Sequence, residues 1–329
     1  MRNSRCRMEP RRAAAFPLTP STFPHAMRIS LRVLAAALLI ASVAPAQAPA
    51  AGPLVLLLPA NTRAAGMGNA WVAGRDESSV FYNPAQINPT TGFGGRFARY
   101  GSNGTVGTLA SAVTVNWLTL GWGVQAVEFK ARSDAAYPFT PADIVRRGTR
   151  DAQSLVVSAG GNFLVKGFRA GLGVKYAEDR IDGASGFFAT PPVLKGVLLG
   201  DLGVAHPLLS GTAALAVQNL GDDSRLTLPM QTTLGWARQM QARQLDLAFA
   251  TQISMRNNWL GAGGGIEAAY GWIEGWSVAL RAGVHRPETA AQRPVSLGGT
   301  LNADHVSLDY GLELFEAGRY AHHISIRWR

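Results

Sequence analysis

The stretch Val306–Leu314, which reads VSLDYGLEL, alternates strictly between apolar residues and polar or small ones. In a β-strand successive side chains point to opposite faces, so this spacing predicts one apolar face and one polar face. The apolar set is Val306, Leu308, Tyr310, Leu312 and Leu314, and the other set is Ser307, Asp309, Gly311 and Glu313. The same period-two pattern recurs from about residue 92 to the end of the sequence. Such repetition is typical of a transmembrane β-barrel, whose outer face touches lipid while its lumen is polar.

Alternation divides this region into fourteen segments, an even number, as single-chain bacterial barrels require. They run over 92–100, 108–116, 118–130, 153–164, 168–178, 193–205, 212–219, 230–240, 244–254, 259–270, 275–285, 293–302, 305–314 and 320–329. We therefore predict an all-β fold, a transmembrane antiparallel β-barrel of about fourteen strands. Long and short connections alternate along the chain, which predicts short periplasmic turns and longer outer loops. A soluble exported β-sandwich or propeller is the alternative, since its strands also alternate.

Tryptophans near the segment ends are expected to lie at the membrane interfaces, where aromatic side chains are enriched. They are Trp117, Trp122, Trp236, Trp259, Trp272, Trp276 and Trp328.

The N-terminal region predicts export. A positively charged start is followed by an apolar run over 33–43, too short to span a membrane, and by small-residue cleavage sites over 44–50. We interpret 27–50 as a signal peptide and 1–26 as an extension upstream of the true start codon. The only cysteine, Cys6, lies in that extension, so neither disulfides nor a lipid anchor are expected in the mature chain.

The net charge of +10 does not indicate a nucleic-acid partner. Residues 1–50 hold seven Arg and one Glu, which leaves 24 basic and 20 acidic residues, or +4, in the remainder. Beyond the signal peptide no stretch reaches the roughly 18 apolar residues of a membrane helix, so a membrane crossing would require a closed barrel. We expect a location in the bacterial outer membrane, with both chain termini in the periplasm.

Residues 51–91 do not alternate, and we predict that they form a plug or hatch segment before a barrel over 92–329. Two motifs stand out, LPANTRAAGMGNAWVA over 58–73 and DESSVFYNPAQI over 76–87. With these motifs the chain resembles the PorV/PorQ family of outer-membrane proteins, within the wider FadL-like barrel group. Shorter stretches at 217–221, 308–310 and 322–326 extend the resemblance over the mature chain. The resemblance implies a small plug inside a fourteen-strand barrel, with its motif at Gly66, Gly68, Asp76, Asn83, Pro84 and Ala85.

The plug motif also has a physical interpretation. Asp76 is suited to cap a short helix from Ser78 to Phe81, and Pro84 restricts Asn83 to an extended backbone. We expect the Asn83 side-chain amide to bond to the barrel wall and anchor the plug, although an ordinary Asn-Pro turn is the simpler alternative. Our hypothesis is that the plug acts as the gate.

Three function classes follow from this fold and resemblance. The resemblance implies transport across the outer membrane or a role in type IX secretion, with an exported protein as cargo. The alternative is a FadL-like channel for hydrophobic small molecules, and an outer-membrane enzyme is the third class. Outer-loop residues are candidate contacts for an apolar molecule or a protein cargo, namely Tyr137, Phe139, Phe187 and Phe188. The barrel itself would contact outer-membrane lipid.

Charged residues fall almost entirely on the inward set of the predicted strands. The candidate lumen-lining residues are Arg169, Lys175, Arg281, Asp309 and Glu313. They carry both signs, so they could form a bonded network that narrows the lumen, or a solvated wall of paired charges. We expect no catalytic site, because His323 and Ser325, which share the inward face, have no recognisable nucleophile motif around them. We expect no metal and no cofactor, because no cluster of Asp, His or Cys has metal-ligand spacing and no phosphate-binding glycine loop follows a strand and opens a helix.

Overall fold

The computed structural model describes residues 54–89, 93–101, 104–129, 152–181, 193–221, 230–256, 259–288 and 292–328. Its fourteen strands form one closed antiparallel barrel, in which each strand pairs with its neighbour in sequence and β1 pairs with β14. The strands are β1 (Phe93–Tyr100), β2 (Gly104–Val115), β3 (Leu118–Phe129), β4 (Ala152–Val165), β5 (Phe168–Ile181), β6 (Val193–Leu208), β7 (Gly211–Leu220), β8 (Gln231–Ala242), β9 (Leu245–Arg256), β10 (Trp259–Ile273), β11 (Trp276–His285), β12 (Gln292–Ala303), β13 (Val306–Phe315) and β14 (Tyr320–Trp328). The predicted fold and strand number are confirmed. The largest change is at β2, which begins four residues earlier than the sequence predicted.

The two faces of the wall have opposite chemistry. On β13 the outward Leu308 and Tyr310 are 45% and 43% exposed, whereas the inward Asp309 and Glu313 are each 1% exposed. Large apolar side chains are exposed in this way all around the barrel, including Phe97, Leu172, Leu234 and Leu280. A soluble protein does not expose a continuous apolar belt of this extent, so this surface faces lipid and the fold is a transmembrane barrel.

The two ends of the barrel differ in their connections. At one end, here called the turn end, the described strands are joined by two-residue turns at 116–117, 166–167, 209–210, 243–244, 274–275 and 304–305. At the other end, the loop end, most connections are longer. Lys166 and Gly167 both have positive φ, as the tight hairpin turns with the favoured twist require.

The tryptophans are divided between the two faces. Trp117, Trp272, Trp276 and Trp328 are exposed at the turn end, where an aromatic belt is expected. Trp259 does not belong to such a belt, because it is only 6% exposed and lies on the lumen side of β10. Its position near a strand end suggested a residue at the membrane interface. However, Trp259 is an even number of residues from the inward Glu267 on the same strand, so both side chains lie inside the barrel.

Residues 54–89, here called the inner segment, cross the lumen. They contain one short α-helix, α1 (Thr62–Gly66), and three short 3-10 helices over Leu54–Leu57, Glu77–Phe81 and Pro84–Gln86. Their side chains and backbone bond to strands on opposite sides of the wall, among them β4, β9, β10 and β12. The main contacts of the four helices fall on β1–β6 and β11–β14. No helix among the described residues is long and apolar enough to cross a membrane.

Candidate functional site

One contact between the inner segment and the wall involves Asn83 and Pro84. Asn83 is fully buried, and its Oδ1 accepts a hydrogen bond from the Ala85 N–H at 3.0 Å, which caps the following 3-10 helix. Its Nδ2 donates to Val72 O at 3.0 Å and, over a long 3.5 Å, to Leu215 O on β7. The bond to the wall that we expected for Asn83 is therefore present but weak, and most of its bonding lies within the inner segment.

A stronger anchor of this region comes from the wall itself. Asn162 on β4 is buried, and its Nδ2 donates to Pro84 O at 3.1 Å and to Ile87 O at 2.8 Å. Sequence reasoning missed this residue, whose only signal was a polar amide at an inward position of a strand. Two strands further along the wall, Gly203 on β6 makes room for Asn83, since a Cβ there would lie 2.0 Å from Asn83 Oδ1.

Gly66 and Gly68 lie where the inner segment touches β10, β11 and β12. Gly68 has φ +64°, and its N–H donates to Ser296 Oγ at 3.1 Å. A Cβ on Gly66 would meet the Arg281 side chain at 2.9 Å. The wall also has glycines at this contact. A Cβ on Gly263 would lie 2.2 Å from Gly68 O, and one on Gly283 would lie 2.1 Å from Gly68 N. Backbone thus packs directly on backbone here.

Asp76 holds three parts of the inner segment together. It precedes the 3-10 helix over Glu77–Phe81 as its N-cap residue, and its N–H donates to Ser79 Oγ at 3.2 Å. Its carboxylate accepts from Asn61 Nδ2 at 2.7 Å and from Ser78 Oγ at 2.6 Å, and it is only 3% exposed. The expected cap is present, on a 3-10 helix that begins one residue earlier than predicted.

The inward charges form paired networks in the described part of the lumen. Arg281 lies between two carboxylates, with Nε 3.0 Å from Glu267 Oε2 and Nη2 3.3 Å from Asp309 Oδ1. Arg63 of the inner segment bonds to the same Glu267 through two nitrogens, and Arg327 bonds to Asp309 at 2.9 Å. The network therefore connects α1 to four strands of the wall.

The remaining candidate lumen residues are paired as well. Lys175 Nζ lies 2.6 Å from Asp201 Oδ2 and donates to Phe81 O at 3.3 Å. Glu313 Oε2 is 2.9 Å from His323 Nε2, and Arg169 donates to Gln86 Oε1 at 3.0 Å. Lys175 and Arg169 therefore bond the wall to the inner segment. The candidate loop residues Tyr137, Phe139, Phe187 and Phe188 lie outside the described residues.

The residues considered for catalysis point into different networks. His323 is fully buried against Glu313 and Arg96, whereas Ser325 Oγ donates to Asp309 Oδ2 at 3.1 Å. His322 is on the opposite, outer face beside Tyr310.

A cavity of about 150 Å³ lies between the inner segment and the loop end of the barrel. We call it the loop-end cavity. On one side it is lined by apolar residues of the inner segment, including Leu56, Leu57, Pro59 and Phe81. Tyr82 also lines it, and its hydroxyl accepts from the Ala60 and Asn61 N–H groups at 2.7 and 3.2 Å. Burial raises the pKa of Tyr82, so this phenol is neutral at physiological pH.

The opposite side of the loop-end cavity is polar. His285 on β11 is 5% exposed, and neither of its ring nitrogens has a hydrogen-bond partner among the described residues. Trp259 Nε1 on β10 is also buried and unpartnered within the described part of the chain, as is Asn69 Oδ1 on the inner segment. Arg256 stacks over the Trp259 ring at 5.1 Å and pairs with Glu288 at 3.2 Å. Buried polar groups normally have partners, so these atoms are placed to bond to a molecule in the cavity.

No family model and no curated protein matches this sequence. Among solved structures, the toluene transporter TbuX of Ralstonia pickettii is similar, with 13% identity, a TM-score of 0.49, and coverage of 82% of this chain and 98% of that one. The toluene transporter TodX of Pseudomonas putida has 11% identity and a TM-score of 0.49, over 86% of this chain and 98% of its own. A FadL homologue of Pseudomonas aeruginosa has 12% identity and a TM-score of 0.48, over 85% and 99%. Likeness at this level assigns neither a family nor a ligand to this chain.

Proposed function

We propose that this protein is an outer-membrane channel that binds and passes ring-sized molecules with an apolar body and one hydrogen-bonding group. The observation that carries the proposal is the loop-end cavity, which is apolar along the inner segment and has unpartnered polar atoms on the wall. The hydrophobic-molecule channel was the alternative to the secretion role in the sequence analysis, and the cavity favours it.

The size of the cavity sets the size of the ligand. Its volume of about 150 Å³ matches that of an apolar cavity that accommodates benzene. Leu56, Leu57 and Phe81 would contact the ring, and contact with such side chains is favourable because it removes apolar surface from water.

The polar side sets the chemistry of the ligand. An indole N–H only donates, whereas a neutral imidazole donates through one nitrogen and accepts through the other. Trp259 and His285 together therefore suit a ligand group that both accepts and donates hydrogen bonds, such as a hydroxyl. A purely apolar ligand would leave these buried groups unpaired, which is unfavourable.

The placement of the protein in the outer membrane rests on two other features of the chain. The apolar outer belt faces lipid, and the predicted signal peptide directs export, so the outer membrane is the membrane we propose. The short turns would then face the periplasm and the loop end would face the outside.

Calorimetric titration of the detergent-solubilised protein with 4-cresol and toluene tests the proposal. The two probes are alike in size and differ in one hydroxyl. We expect 4-cresol to bind about two- to tenfold more tightly, the value of one hydrogen bond. His285→Leu should abolish this preference, whereas His206→Leu, at the turn end, should retain it. Binding of neither probe would refute the channel, and equal affinity in the wild type would refute the polar subsite.

The resemblance to PorV/PorQ proteins supports a second proposal, a role in type IX secretion in which the outer loops bind an exported protein. Affinity purification of the tagged protein from its own outer membrane, followed by mass spectrometry, tests it. Recovery of exported proteins that share a C-terminal domain would support this role, and their absence would refute it.

A further inference from the structure

A second cavity, of about 330 Å³, lies on the other side of the inner segment, at the turn end. We call it the turn-end cavity. Met67 and Trp71 of the inner segment line it, and Phe249 and Ala250 of β9 lie opposite. Arg75 opens onto it and has no ion-pair partner among the described residues. Arg63 and Arg238 also line it, so the turn-end cavity combines apolar side chains with guanidinium donors and is suited to a ring that carries an oxygen acceptor.

Only a thin part of the inner segment separates the two cavities. Gly68 and Asn69 line the loop-end cavity, and Met67 and Trp71 line the turn-end cavity. Within this stretch Trp71 passes the wall at β9, a strand on which none of the four helices makes its main contacts. The backbone there is irregular, with φ of +64° at Gly68 and +58° at Asn69. The barrier to movement along the barrel axis is therefore about five residues of non-helical chain.

Among the described residues, one side chain, Gln252, provides the hydrogen bonds between this barrier and β9. Gln252 Oε1 accepts from the Trp71 N–H at 3.0 Å and from the Val72 N–H at 3.1 Å. Gln252 also lines the loop-end cavity, so a bound molecule can reach it. Elsewhere the inner segment is fastened by several wall residues at once, as at Asn162 and Lys175.

We propose that the turn-end cavity is a second ligand site on a path along the barrel axis, and that Gln252 closes this path by holding Trp71 and Val72 against β9. Gln252 is a positioning residue in this scheme, since it acts through the barrier. The proposal rests on the proposed function, because it takes the loop-end cavity as the first site.

Single-channel K⁺ conductance of the full-length mature protein in planar bilayers tests the barrier. Gln252→Ala removes the acceptor for two backbone amides, and each hydrogen bond is worth a factor of about 2 to 10, so the open fraction should rise about 4- to 100-fold. Gln252→Glu retains an acceptor oxygen at the same place and should restore the closed state. Asn302→Ala is the control, since Asn302 bonds to Ser277 within the wall and lines neither cavity. If Gln252→Ala had the conductance of the wild type, the proposed role of Gln252 in closing the path would be refuted.

Ligand passage is tested separately. Millimolar 4-cresol should reduce the K⁺ current of Gln252→Ala, and photolabelling of the wild type with 4-azidophenol should give adducts at Met67 or Trp71 as well as in the loop-end cavity. Adducts in the loop-end cavity alone, or a current that 4-cresol does not change, would overturn the axial path and leave the proposed function standing. A protein with no adducts in either cavity would instead refute the proposed function.

Discussion

Replacement of Gly283 by alanine should displace the inner segment from β11. An added Cβ would lie 2.1 Å from Gly68 N and 2.3 Å from Met67 C, and both of these are backbone atoms that cannot move aside alone. Overpacking of this kind costs about 1 to 3 kcal/mol. The shift would also break the bond from Gly68 N to Ser296 Oγ, worth about 1 kcal/mol. We therefore expect the closed position of the inner segment to lose about 2 to 4 kcal/mol.

Hydrogen–deuterium exchange followed by mass spectrometry measures this loss directly. Peptides that cover 62–72 should exchange about 30- to 1000-fold faster in Gly283→Ala, because each 1.4 kcal/mol is a factor of ten. The matched control is Gly107→Ala on β2, where an added Cβ meets no atom within 4 Å. Retained heat-modifiable migration in gels would establish that both variants still form a barrel.

The result that would refute this reasoning is a folded Gly283→Ala barrel whose 62–72 peptides exchange as in the wild type. The inner segment could then shift against β11 without any loss of free energy in its closed position. The direct backbone contact described for Gly68 would in that case have no role in holding the segment.

Two further predictions concern other contacts of the inner segment. Asn162→Ala leaves the Pro84 and Ile87 carbonyls without their hydrogen-bond donor from the wall and should destabilise the closed position of the inner segment by about 2 to 4 kcal/mol. Hydrogen–deuterium exchange over 83–88 should therefore be faster. Asn302→Ala removes a hydrogen bond within the wall and should leave that exchange unchanged. Burial raises the pKa of Tyr82, so the stability that its neutral form contributes is complete below pH about 10 and is lost as the pH rises through the raised value. An ultraviolet titration should show one tyrosine that ionises after the others, and Tyr82→Phe should remove that late step; a wild type without it would contradict the prediction.

The strands could be predicted from the sequence because lipid outside and polar lumen inside impose the same period on each of them. Val306–Leu314 shows this directly, with Leu308 outside and Asp309 inside as the alternation required. The alternation of residues along a strand predicts which face a side chain is on more reliably than the distance of that residue from the strand end, as Trp259 illustrates. A membrane-interface position was expected for Trp259 from its place near a strand end, yet its parity places it in the lumen.

The candidate site was predictable only in part. The motif residues Gly68, Asp76 and Asn83 do lie where the inner segment is fastened or capped, because their local roles depend on neighbours in sequence. The partners on the wall depend on which strand faces which part of the inner segment. Nothing in the sequence distinguishes Asn162 or Gln252 from other inward polar residues until the path of 54–89 through the lumen is known.

The position of the inner segment has a consequence for how the barrel assembles. Val55 bonds to Ser154 in the loop-end half of the lumen, whereas Phe93 starts β1 at the turn end, so the chain runs lengthwise through the interior. The wall closes only when β1 pairs with β14, the last strand to be synthesised. Enclosure of the inner segment as the last strand docks avoids threading it along the axis of a finished barrel, whose closed wall gives no sideways entry. Residues 54–89 would in that case act as an internal template around which the wall is completed, and a defect in their packing should appear as slow insertion before it appears as altered transport.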